Sequence, residues 1–158
     1  MAVTINGTTG IGLPNTAAPV MVAYLNNNQT GVANSTFTKV TLANTEIDTN
    51  STFNTTTYRG TPTIAGYYQI SAVVQTDYTG SAGSSYKTAI YKNGTLFRQA
   101  NPNGSYGAAS INCAVYMNGS SDYLELYGMQ SGGSGQQFDG YANASVYCTW
   151  LSAIYIRN

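Results

Sequence analysis

The chain has 158 residues and no net formal charge, six Lys and Arg balancing six Asp and Glu, and only 8% of it is charged, where about a quarter is usual. The cations Lys39, Arg59, Lys87, Lys92, Arg98 and Arg157 are scattered along the sequence, which argues against a nucleic-acid interface, since that needs clustered cations to displace counterions. The polar surface is instead built from Asn, Thr, Ser, Gln and Gly, and with 14 Tyr the mixture suits strands and turns and is poor helix material.

Residues 1–18 form a turn-rich opening with isolated apolar side chains, Ile5, Ile11 and Leu13, expected to act as an attachment segment that orders against a partner. Met1 to Gly7 lacks the basic head and apolar run of an export signal, and no stretch approaches a membrane span. Residues 19–158 are expected to form one domain, long enough to bury its own core.

Within that domain, strands are predicted at 19–25, 36–42, 57–63, 66–75, 85–92, 95–100, 108–117, 122–128 and 142–157. The alternation is clearest from Gly66 to Gln75, with Tyr68, Ile70, Ala72 and Val74 on one face and Tyr67, Gln69, Ser71, Val73 and Gln75 on the other. Asn93-Gly94 and Asn118 to Ser121 are tight hairpin signals. Three longer connections, 76–84, 101–107 and 129–141, are rich in Gly and Ser. If the strands alternate up and down, these three fall at one end of the molecule. The two hairpins and the C-terminus fall at the other.

The closing strand is apolar on both sides: Val146, Cys148, Trp150, Ile154 and Ile156 on one, Tyr147, Leu151, Ala153 and Tyr155 on the other. A half-exposed antiparallel strand should be polar on one side. One face can enter the core, and the second then needs a neighbouring subunit to cover it. Tyr67, Val73, Tyr147, Leu151 and Tyr155 are the predicted interface residues.

Searching the sequence for chemistry yields little. There is no histidine, so a serine nucleophile lacks its usual base. Glu46 and Asp48 are spaced to share a strand face, the one arrangement suited to cleaving a polysaccharide, and are read as a solvated pair. Gly132-Gly133-Ser134-Gly135 lacks the Lys-Ser/Thr of a phosphate loop. Cys113 and Cys148 are read as small buried apolar residues in strands rather than a disulfide. No enzyme activity, metal or cofactor is expected.

Phe37-Thr38-Lys39-Val40, Pro62 to Ile70, Ile90-Tyr91-Lys92-Asn93-Gly94, Tyr123-Leu124-Glu125-Leu126 and the apolar final strand together resemble the globular head of complement component 1q, over residues 19–158. The Gly-x-Tyr at Gly66 and Tyr68 and the Lys-Asn-Gly turn are its most specific part. Gly60 stands where that family usually has an aromatic residue, with Tyr58 nearby. The resemblance implies a ten-stranded, two-sheet jelly roll of the tumour necrosis factor-like type. It further implies a homotrimer whose axis is faced by the sheet containing the final strand. Val3 to Ile11 is similar to the opening of many bacteriophage virion proteins. The resemblances together imply a fibre or spike head on the virion exterior, made in the host cytoplasm and released by lysis. Tyr78, Asn101, Asn103, Tyr106, Phe138, Asp139 and Tyr141 in the long connections are then the candidates for binding a host-surface glycan. The alternative is a capsid decoration or cement protein anchored to other virion proteins through residues 1–18.

Overall fold

The computed structural model describes residues 4–6, 10–12, 18–76, 85–100, 108–143 and 146–158. In chain order the strands are β1 (Thr4–Asn6), β2 (Gly10–Gly12), β3 (Val20–Tyr24), β4 (Thr38–Lys39), β5 (Asn44–Asp48), β6 (Phe53–Asn54), β7 (Arg59–Gly60) and β8 (Gly66–Gln75). They continue with β9 (Tyr86–Lys92), β10 (Thr95–Ala100), β11 (Ala108–Met117), β12 (Leu124–Gln130), β13 (Tyr141–Asn143), β14 (Val146–Tyr147) and β15 (Trp150–Arg157). No helix occurs among the described residues.

Two antiparallel sheets make the sandwich. One has five strands in the order β11-β8-β15-β3-β5; the other runs β10-β9-β12-β7-β6, with β4 also pairing β12. This is the jelly roll. The two sheets hold eleven strands against the ten expected, five in the first and six in the second, which the short segments β4, β6 and β7 complete. Strand β8 has the predicted bounds, with Tyr68, Ile70, Ala72 and Val74 all at most 2% exposed. They meet Ile90, Leu124, Leu126, Leu151 and Ala153 in one continuous core. Burial of these side chains, at about 25 cal/mol per Å², holds the two layers together.

The hairpin end is tied by polar contacts. Asn93 and Gly94 both take positive φ, 54° and 76°, as a two-residue turn matched to strand twist requires. The Asn93 side chain accepts from Tyr123 N at 2.9 Å and donates to Asp122 at 2.7 Å, and Lys92 pairs with Asp122 at 2.9 Å. The turns at 93–94 and 118–122 are thereby joined. Tyr155 N donates to Pro19 O at 3.0 Å, so the chain enters the sandwich at the end where β15 leaves it. Strand ends Gln75, Tyr86, Ala108 and Gln130 lie together at the opposite end. The predicted division into two unlike ends holds.

Four expectations change. The predicted strands at 36–42 and 57–63 shrink to the two-residue strands β4 and β7. The polar segment Asn44–Asp48, which shows no alternation, becomes edge strand β5 through pairing with β3. The predicted strand at 142–157 is broken into β13, β14 and β15. Residues 4–12 form the hairpin β1–β2, with Ile5 opposite Ile11; Leu13 lies outside the described residues.

Candidate functional site

The outer side of the five-stranded sheet is unusually apolar. In register across β3, β15 and β8 lie Tyr24, Trp150 and Val73, then Val22, Ser152 and Ser71, then Val20, Ile154 and Gln69. An open groove of about 670 Å³ follows this face, lined by Val22, Tyr24, Glu46, Trp150 and Ile154 together with Val146, Tyr147 and Ser152. The Tyr24 and Tyr147 rings stack at 4.0 Å. Hydrogen bonding with Tyr147, then burial and the nearby Glu46 charge, pushes the Tyr24 phenol above its ordinary value. Farther along, Tyr67 and Tyr116 face each other across β8 and β11 at 5.4 Å, each 49% exposed. Ile154 and Ile156 are 45% and 51% exposed.

Of the five predicted interface residues, Tyr67, Val73 and Tyr147 lie on this face. Leu151 does not: it is fully buried in the core. Tyr155 also turns inward, packing against the core with its ring 5.4 Å from Tyr68. The reason is a bend at Cys148 and Thr149. Thr149 is buried, its carbonyl accepting from Leu25 N at 2.9 Å and its hydroxyl from Gln75 N at 3.0 Å. This separates Tyr147 from the side-chain alternation of β15. Within β15 the apolar side chains on the outer face are therefore Trp150 and Ile154, beside Val146 in the groove, with Ile156 exposed at the register shift between Tyr155 and Arg157.

At the end bearing the long connections, Phe138 is not a surface residue. It is fully buried, and its backbone pairs with Gln29 in both directions at 2.9 and 3.0 Å. Gly128 makes the space: a Cβ there would lie 2.6 Å from the Phe138 ring and 2.8 Å from Val74. The Gly-rich 132–135 segment is tied by buried Gln130, which donates to Gly133 O at 3.0 Å and accepts from Gly132 N at 2.7 Å. Asp139 is half-buried and accepts from Gln137 at 2.8 Å, whereas Tyr141 is 46% exposed. Tyr78, Asn101, Asn103 and Tyr106 lie outside the described residues.

Glu46 and Asp48 are not equivalent. Glu46 is exposed at a β-bulge and lines the groove. Both Asp48 oxygens are engaged locally, accepting from Thr52 N, Thr52 Oγ1 and Phe53 N at 2.8, 3.0 and 2.8 Å. Both cysteines are free thiols, half-buried, and burial pushes each thiol above its ordinary value. Among the described residues no three His, Cys, Asp or Glu side chains converge as a metal site would need. Nor is any helix among them long and apolar enough to cross a membrane.

A charged cluster on the second sheet was not foreseen. The Glu125 side chain is only 2% exposed and takes Lys39 Nζ at 2.6 Å and Arg59 Nε at 2.8 Å on one oxygen. Burial pushes its pKa up, but hydrogen bonds and charge from Lys39 and Arg59 outweigh this and hold the carboxyl below the usual glutamate range. The partners are 86 and 66 residues away in sequence. Only alternation within β12, which turns Leu124 and Leu126 inward, could have hinted that Glu125 faces outward.

No protein-family model matches the sequence, and no curated protein matches it. Solved structures do share its fold. Murine APRIL superposes with a TM-score of 0.62 at 9% identity, covering 88% of this chain and 99% of that one. The globular domain of zebrafish complement 1qA gives 0.56 at 11% identity, over 89% and 99%. The PRD1 vertex protein P5 gives 0.59 at 15% identity, over 88% and 96%. The sandwich is thus a tumour necrosis factor and complement 1q-like jelly roll.

Proposed function

We propose that the chain is a bacteriophage virion structural protein, a homotrimeric jelly-roll module packed through the outer face of the five-stranded sheet. The observation that carries this reading is the row Tyr24, Trp150, Val22 and Ile154 with the exposed Ile156, apolar where a solvated sheet would be polar. The fold shared with the PRD1 vertex protein P5 supports a place in a virus particle. Residues 1–18 join the sandwich at the end where Tyr155 meets Pro19. That end mounts on other virion proteins and leaves the long connections pointing outward, with exposed Tyr141 and half-buried Asp139 among them for contact with a host-surface glycan. We read the module as non-enzymatic, since both oxygens of Asp48 serve a turn instead of pairing with Glu46.

Electron cryomicroscopy of the intact particle tests this. The proposal expects threefold density for this chain at the particle surface, with residues 1–18 at its base. Absence from purified particles would overturn it. Deleting residues 1–18 separates display from cement: a cement role predicts a less stable capsid, and a host-binding head predicts that the free protein still binds cells.

A further inference from the structure

Five of the six lysine and arginine residues, scattered in sequence, belong to the six-stranded sheet: Lys39, Arg59, Lys87, Lys92 and Arg98. On its outer face Lys39, Arg59 and Lys87 stand against the single carboxylate of Glu125, so the face is positive in a neutral protein. The same face is paved with rings. Tyr91 and Tyr127 stack at 4.0 Å and 27°, and Phe37 meets Tyr91 edge-on at 6.1 Å. The Arg59 guanidinium lies 4.2 Å over the Tyr123 ring. Arg59 uses only Nε on Glu125, and its two terminal amino groups have no hydrogen-bond acceptor among the described residues. A planar fork held by an internal carboxylate and an aromatic ring, with its outer donors free, is suited to a second carboxylate from outside. The surface is aromatic and polar, Leu96 being its one exposed aliphatic side chain. It therefore fits a ring-shaped hydroxylated ligand better than an apolar helix.

We propose that this face binds a carboxylated polysaccharide, a sugar carboxylate on the Arg59 fork and the sugar rings lying across Tyr91 and Phe37. The site is complete within one copy and does not rest on the trimer, which would add avidity along a repeating polymer. It is also distinct from the Asp139 and Tyr141 end.

Calorimetric titration of the full chain with a galacturonic acid hexamer tests it, with maltohexaose as the neutral control and a thymidine oligonucleotide as a second anion. The proposal expects the uronic acid hexamer to bind, to weaken as salt rises, and to exceed maltohexaose by about tenfold or more. Arg59→Lys, which keeps the charge and loses the fork, should weaken binding about tenfold, as should Tyr91→Leu. If Arg59→Lys does not fold, Tyr91→Leu and Phe37→Ala carry the test. No binding of the hexamer at low salt, equal binding of maltohexaose or the oligonucleotide, or full affinity in the platform variants would overturn the proposal. Measuring the mass of the same sample keeps the two readings apart: a binding monomer sinks the trimer alone, and a trimer that does not bind sinks this site alone.

Discussion

Glu125→Gln should lower stability without altering the fold, and its cost should disappear in acid. The wild-type carboxylate, 2% exposed, holds Lys39 at 2.6 Å and Arg59 at 2.8 Å. Breaking a fully buried pair costs about 3 to 5 kcal/mol. Here Lys39 and Arg59 are 26% and 41% exposed and can turn toward water, so the loss should be about 2 kcal/mol. For a domain of this size that lowers Tm by about 4 to 8 °C. The folded-state pKa of Glu125 is depressed. Its contribution is therefore fully present above the unfolded glutamate value and fades as pH falls through the folded value. Circular-dichroism melts at equal protein concentration, at neutral pH and in steps down through the carboxylate range, read both effects. Equal Tm at neutral pH would refute the reasoning, as would a gap that stays constant in acid.

Three other outcomes follow from placement. Phe138→Ala should cost about 3 to 5 kcal/mol in denaturant melts, because it empties a fully buried site; a folded, equally stable variant with altered ligand binding would contradict it. Leu151→Ala, in the core, should cost about 2 to 5 kcal/mol, whereas Ile154→Asp on the outer face should leave the sandwich folded and disperse the oligomer, as sedimentation velocity would show. Cys113 and Cys148, both pushed up by burial, should react with a thiol reagent more slowly at neutral pH than a free cysteine, since the thiolate is the nucleophile.

Much of the framework was legible along the chain. The alternation of Tyr68, Ile70, Ala72 and Val74 located β8 because each side chain reports its own face. Asn93-Gly94 located its hairpin because the turn demands positive φ there. Features made by distant partners were not legible. Phe138 sits in a connection rich in Gly and Ser, and the hole that takes it is made by Gly128 and Val74 on two other strands. The apolar second face of the final strand was visible, but the bend at Thr149 that decides which side chains point outward depends on Leu25 and Gln75. Leu151 and Tyr155 were accordingly placed on the wrong side. Lys39, Arg59 and Glu125 meet only because β4, β7 and β12 lie side by side.

The most direct test of the account is the solution mass of the purified full chain, read by light scattering beside its Ile154→Asp variant. The account expects three times 16.7 kDa for the first and a single chain for the second. A stable wild-type monomer, with Trp150 and Ile154 facing solvent, would contradict it.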